Sequence, residues 1–206
     1  MLRVNQPGSH ISSTFNVRFS TDLFIMKNFL LSFIVLLICT SSDAQMFHGV
    51  PISGSLQLCM ANFQKKGFVF VKFNPHGVTM SGNVYNQPVE LYIVATPRSK
   101  TVCKVSLYFP KRKSWSILLD EYVQMKKQLI LKYGVPDLQM ETFHHPYKLG
   151  DGLETTALQA EKCEYCTIWL NKINTNVIVE ISEFLQIYLA FENKSNMELS
   201  AKEETE

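Results

Sequence analysis

The sequence predicts an α+β domain in which an antiparallel β-sheet carries two amphipathic helices on one face. Apolar residues recur at helical spacing in two segments, about residues 54–66 and 115–133, and β-rich runs bounded by turn residues fill most of the remaining chain. Short connections favour antiparallel neighbours, and helices that gather on one face of such a sheet are typical of the α+β class.

The first helix is predicted at residues 54–66, with Ser53 as its N-cap and Gly67 just beyond its end. Its apolar stripe consists of Leu56, Met60 and Phe63, with Cys59 on the same side.

The second helix is predicted at residues 115–133, capped by Ser114 and stopped by Gly134 and Pro136. Its stripe runs from Trp115 through Tyr122 to Tyr133. Both helices should therefore lie with one side against the sheet.

Four strands are predicted after each helix. Residues 153–162 fit either a strand or one short helix, and residues 198–206 are expected to be an acidic, disordered tail. The predicted strands are 68–73, 78–85, 89–96, 102–109, 139–144, 164–172, 176–182 and 185–193.

This order, a helix and four strands followed by a helix and four strands, suggests a duplicated unit, although no residue-by-residue repeat accompanies it. A large curved sheet with both helices on one side resembles the β-lactamase-inhibitor-like architecture. We expect one such domain at residues 45–197.

An export signal is predicted at residues 26–44. Met26-Lys27-Asn28 is a short positive start, residues 29–38 are an uncharged apolar run, and Ser42 and Ala44 suit cleavage before Gln45. The run is about half the ~20 residues that span a bilayer, which disfavours a permanent membrane helix. Residues 1–25 are interpreted as an over-long N-terminal extension. The mature protein is therefore expected to be periplasmic or secreted.

A lipoprotein anchor at Cys39 is an alternative to simple cleavage. Ile38 occupies the position where a lipobox has Gly, Ala or Ser, so cleavage is favoured. Under either interpretation, contact with the membrane comes only through the signal or this anchor.

The charge and the motifs argue against several classes of function. A formal net charge of +2 does not predict a nucleic-acid partner. The chain has no P-loop, GxGxxG, GxSxG or HExxH motif, so no cofactor is predicted. His144 and His145 are adjacent and would point apart on a strand, so no metal site is predicted either.

Four cysteines remain after the predicted cleavage, Cys59, Cys103, Cys163 and Cys166. An exported protein could hold them as buried thiols or as one cross-strand disulfide, and the pairing cannot be read from the sequence. Cys163 and Cys166 form a CxxC motif, but residues three apart on a strand face opposite ways, which disfavours a redox site.

The strand patterns predict an outer sheet face, away from the helices, that collects large amphipathic aromatic side chains. In the predicted strand 164–172, alternation assigns Cys166 and Ile168 to the helix side and leaves the aromatic residues of this strand on the outer face. In the predicted strand 102–109, alternation assigns Cys103 to the helix side as well. Such residues are enriched in recognition surfaces, although they are also ordinary strand residues. The predicted set is Tyr92, Tyr108, Tyr165, Trp169 and Tyr188.

Several short segments give the chain a family likeness. They are Phe47-His48-Gly49-Val50-Pro51-Ile52, Lys65-Lys66-Gly67-Phe68, Lys132-Tyr133-Gly134-Val135-Pro136, Asp151-Gly152 with Glu154, and Tyr165 with Trp169. Together with the junction before Gln45, the chain resembles a group of uncharacterised exported proteins from Bacteroidetes. The resemblance covers nearly all of the mature chain and implies no activity.

We therefore expect a non-enzymatic envelope protein that binds a partner protein or a small ligand through the aromatic face. The alternative is a small secreted hydrolase or thiol-redox protein. It would use the Asp151–Glu154 turn or the Cys163/Cys166 pair.

Overall fold

The computed structural model describes residues 46–170, 172 and 174–205. The predicted export signal at 26–44, the extension at 1–25 and Cys39 lie outside the described residues. Within the described part of the chain, no helix is both long and apolar enough to cross a membrane.

The predicted elements form, with small changes at their ends. The first half holds β1 (Met46–Phe47), β2 (Val50–Pro51), α1 (Leu56–Lys65), β3 (Val69–Asn74), β4 (Gly77–Val84), β5 (Gln87–Ala95) and β6 (Val102–Tyr108). The second half holds α2 (Trp115–Tyr133), β7 (Leu138–Phe143), α3 (Glu154–Gln159), β8 (Cys163–Trp169), β9 (Thr175–Ser182), β10 (Gln186–Asn193) and α4 (Lys194–Thr205).

Strands β3 to β10 form one antiparallel sheet of eight strands in the order β3-β4-β5-β6-β10-β9-β8-β7. Strands β6 and β10, the last of each half, pair at the centre. The sheet therefore consists of two four-strand meanders that meet back to back, each following a long helix in the chain.

Both long helices lie on the same face of this sheet. On α2, the hydroxyl groups of Tyr122 and Thr167 are 2.6 Å apart, and Thr167 lies on β8. On α1, Phe63 is buried and contacts Phe47, whose ring lies 5.2 Å from that of Phe191 on β10. Thr167 and Phe191 point to the same side, so this side is the helix-covered face and holds the main core.

The ends of the two long helices differ in how well the sequence predicts them. The N-cap of α1 is Ser55 rather than Ser53, because the Ser55 hydroxyl accepts the Leu58 N–H at 3.4 Å. Helix α2 has the predicted bounds. At its end Gly134 adopts a positive φ of 79° and donates its N–H to the Ile130 carbonyl at 2.8 Å.

The C-terminal segment corrects the sequence prediction. Residues 198–205 were expected to be disordered, yet they belong to α4. None of the α4 residues is buried, so the helix has no apolar stripe to reveal it. It is held by distant polar contacts. The Glu203 carboxylate accepts the N–H groups of Arg98 and Ser99, and the Asn196 amide donates to the Val102 carbonyl at 2.7 Å.

Candidate functional site

The sheet face opposite α1 and α2, here called the open face, carries two rows of side chains in register. One row crosses seven strands and consists of Thr79, Tyr92, Ser106, Ala190, Ile178, Ile168 and Leu138. The other crosses all eight strands and consists of Val69, Ser81, Glu90, Tyr108, Tyr188, Glu180, Cys166 and Met140.

Three of the predicted aromatic residues meet on the open face, and we call Tyr92, Tyr108 and Tyr188 the tyrosine cluster. The Tyr92 and Tyr108 ring centroids lie 5.2 Å apart in an edge-to-face arrangement, and those of Tyr108 and Tyr188 lie 4.9 Å apart. Aromatic pairs favour such edge-on or tilted contacts. The cluster covers small residues beneath it, since Ser106 and Ala190 are buried.

A groove of about 910 Å³ runs along the cluster and is lined by Tyr92, Tyr108 and Glu90. The turn between β9 and β10 adds Phe184, which is 53% exposed. The ammonium group of Lys111 lies 5.7 Å from the Phe184 ring centre. The groove thus combines flat apolar rings with polar and charged groups at its rim.

Tyr165 and Trp169 do not belong to the open face, and their predicted positions are wrong. Both lie on the helix-covered face, where Trp169 is 0% exposed and its indole N–H donates to the Gly134 carbonyl at 2.8 Å. The Tyr165 ring contacts the rings of Trp115 and Tyr122 on α2. These two aromatics anchor α2 to β8 and are core residues.

Because β8 turns its two faces the opposite way from the prediction, Cys166 and Ile168 lie on the open face, where sequence reasoning missed them. Beside them lie Leu138 and Met140, which are 52% and 42% exposed, and Ile178. We call these five residues the aliphatic strip. Uncovered faces of antiparallel sheets usually carry polar residues, so a run of apolar side chains over three neighbouring strands is unusual.

Charged groups on the open face are unevenly paired. Lys104 forms an ion pair with Glu192 at 3.0 Å, and its ammonium lies 5.6 Å from the Tyr188 ring centre. Burial alone would lower the pKa of Lys104, but Tyr188 and Glu192 beside it raise the pKa overall. The Tyr92 hydroxyl donates to Glu90 at 3.3 Å.

No residue in the described part of the chain pairs with Glu180 in this way. It is half-buried at the middle of its row, between Tyr188 and Cys166. Its pKa is raised, first by burial and then by the nearby Glu183 carboxylate, while Lys104 acts in the opposite direction.

Burial raises the pKa values of Tyr92, Tyr108 and the cysteines of the described chain. Burial raises the pKa of Tyr108 to about 12, with Tyr188 adding to the effect. Burial likewise raises the pKa of Cys59 and of Cys163 to about 12, and that of Cys166 to about 11. A thiol nucleophile needs a lowered pKa, so none of these three suits attack at neutral pH.

The four cysteines are free thiols. Cys163 pairs with Phe143 on the helix-covered face, whereas Cys166 pairs with Met140 on the open face, so the CxxC thiols face opposite ways as predicted. Cys103, predicted on the helix side, is the extra residue of a β-bulge, and its thiol donates to the Val94 carbonyl at 3.5 Å.

The carboxylates of the Asp151–Glu154 turn accept backbone N–H groups. Asp151 accepts from Lys148 at 3.0 Å and from Leu153 at 2.8 Å, and Glu154 accepts from Gly150 at 2.8 Å. The hydrogen bonds from Lys148 and Leu153 lower the pKa of Asp151. Both side chains therefore hold the turn in shape, which is the arrangement of a structural loop.

Over the described residues, no group of three or more His, Cys, Asp or Glu side chains is placed to hold a metal ion. A scan against protein-family models, a search of curated proteins and a search of solved structures each found no match. The open face is therefore the candidate functional site.

Proposed function

We propose that this protein is an exported, non-enzymatic binding module that holds a partner on its open face. The observation that carries the proposal is the composition of that face. The tyrosine cluster and the aliphatic strip lie on the sheet surface opposite α1 and α2, where a solvated sheet would carry polar side chains.

The tyrosine cluster has the properties of a recognition surface. Tyrosine offers a large, rigid contact area and a hydrogen-bonding hydroxyl at little entropic cost, which is why it is enriched where proteins bind other molecules. The Tyr108 ring contacts both of the other rings, and a groove lies along Tyr92 and Tyr108. A partner would therefore meet a surface that is already ordered.

The architecture and the predicted export signal support the same proposal. Two helix-and-meander halves joined at β6 and β10 leave one broad face for an interaction, as in the β-lactamase-inhibitor-like architecture that we propose for this chain. We also propose that the chain acts in the periplasm or outside the cell after cleavage before Gln45. Its relatives would be the exported Bacteroidetes proteins that it resembles.

The hydrolase or thiol-redox alternative finds less support. The Asp151 and Glu154 carboxylates are engaged by backbone N–H groups, and the Cys163 and Cys166 thiols face opposite ways with raised pKa values. Each of these features suits a structural role better than acid–base or thiol chemistry.

Photo-crosslinking in the native cells tests the proposal. The full chain would carry a benzoylphenylalanine in place of Tyr108, and the matched control would carry it in place of Leu131, which is 81% exposed on α2. We expect a discrete adduct, identified by mass spectrometry, at position 108 and none at position 131. Equal labelling at both positions, or none at position 108, would count against a binding function for the open face.

A further inference from the structure

The inference that follows rests on the proposed function and concerns the chemistry of the partner. We propose that the open face takes a polypeptide segment lying across strands β7 to β4, with a lysine or arginine side chain set against Glu180.

The position of Glu180 makes it the natural anchor for a cation. Two grooves of about 320 and 380 Å³ meet at this residue, one bounded by Tyr108 and Tyr188 and the other by Met140 and Cys166. A charge there is partly removed from water, and a partly buried charge gains more from an opposite charge than an exposed one does.

Glu180 also lacks a direct partner among the described residues. Glu192, on the neighbouring strand of the same face, is neutralised by Lys104, but no described residue forms an ion pair or a hydrogen bond with Glu180. Glu183 lines both grooves as well and adds to the negative charge, whereas Lys104, which is held by Glu192, lines the groove of about 320 Å³. A half-buried carboxylate without a partner is costly to keep, so a cationic ligand is the complement that the site lacks.

The length of the surface argues for a polypeptide rather than a small amine. The row from Leu138 to Thr79 crosses seven strands, which corresponds to roughly 30 Å at the usual spacing of about 4.8 Å. A segment of about nine extended residues spans this distance. Such a segment would place apolar side chains on the aliphatic strip and the tyrosine cluster, on either side of the basic residue.

Selection from a displayed library of random peptides, followed by binding measurements with one synthetic selected peptide, tests this inference. The purified chain would be compared as wild type, as Glu180→Gln and as Asp120→Asn. Asp120 is a matched control, since it is an exposed carboxylate on α2, on the opposite side of the sheet. Circular dichroism would establish that each variant is folded.

We expect the wild type to enrich peptides in which lysine or arginine is flanked by apolar residues. Removing one member of a desolvated charge pair usually weakens binding strongly, so Glu180→Gln should lower the affinity by about tenfold or more, and Asp120→Asn by less than about threefold.

Four results would overturn the inference. Enriched peptides without basic residues, or equal losses in both variants, would contradict the role of Glu180 while leaving the open face as a binding surface. The absence of any enriched peptide would count against the proposed function as well. A dimer in sedimentation equilibrium that dissociates on Tyr108→Ser would identify a second copy of this chain as the occupant.

Discussion

Trp169 and Tyr108 lie on opposite faces of one sheet, and their substitutions should differ in how much stability they cost. Trp169 is fully buried, so Trp169→Ala should lower the free energy of unfolding by about 3–5 kcal/mol. Tyr108 is half-buried and mainly contacts two other tyrosines, so Tyr108→Ser should cost about 1 kcal/mol. Urea unfolding measures both, and similar losses for the two variants would place Tyr108 in the core.

Glu180 should make the protein less stable as the pH rises. Its pKa is higher in the folded protein than in the unfolded chain, so the native state binds the proton more tightly, and stability falls as the pH rises through the folded pKa. We therefore expect Glu180→Gln to be more stable than the wild type at pH 7. The advantage should disappear as the pH falls towards the unfolded pKa of about 4.3. Thermal unfolding across this range measures the difference, and a less stable variant at pH 7 would show that Glu180 has a stabilising partner.

The candidate site could be predicted from the sequence only in part, and β8 shows why. Tyr92, Tyr108 and Tyr188 lie on strands whose other face is plainly aliphatic, so alternation assigns them correctly. On β8 both faces are apolar. Alternation then separates Tyr165 and Trp169 from Cys166 and Ile168, but it does not indicate which set faces the helices. The structure shows which set faces the helices, because the Trp169 indole bonds to Gly134, a residue 35 positions away along the chain.

The end of helix α2 depends on Gly134. This residue has φ 79° and ψ −158°, a conformation that only glycine adopts readily, and its surroundings leave room for a methyl group. Gly134→Ala should therefore cost about 1–3 kcal/mol through backbone strain alone.

The matched control at the other end of α2 is Ser114→Ala. The Ser114 side chain makes no capping hydrogen bond to the backbone, so its removal should change stability by less than about 0.5 kcal/mol. Chemical denaturation of both variants measures the contrast. A neutral Gly134→Ala would mean that the helix end can relax into another conformation.

Elements with a strong periodic pattern could be predicted from the sequence, whereas those held by distant polar contacts could not. Helix α2 has a stripe from Trp115 to Tyr133 and matches its predicted bounds. Helix α4 buries none of its residues, and the contacts of Glu203 with Arg98 and Ser99 join positions more than 100 residues apart. No local pattern could have distinguished α4 from a solvated tail.

The order of the elements along the chain predicts two similar halves, but it does not predict which strands of the two halves pair in the sheet. Pairing β6 with β10 makes one continuous sheet, and this brings Tyr92 and Tyr108 of the first half beside Tyr188 and Glu180 of the second. The tyrosine cluster is therefore formed by the pairing of the two halves. Neither half alone contains the surface that we propose as the binding site.

Methyl NMR of isoleucine residues can show whether a partner binds the open face, because isoleucines lie on the open face, on the helix-covered face and on the exposed side of α2. Ile168 and Ile178 lie on the open face, Ile93 and Ile181 are buried on the helix-covered face, and Ile117 and Ile130 are exposed on α2. Methyl NMR spectra would be recorded while adding the partner found by crosslinking or a selected peptide. If the partner binds the open face, we expect the signals of Ile168 and Ile178 to shift while those of the other four isoleucines stay in place. Shifts at Ile117 and Ile130, with Ile168 and Ile178 unchanged, would contradict it.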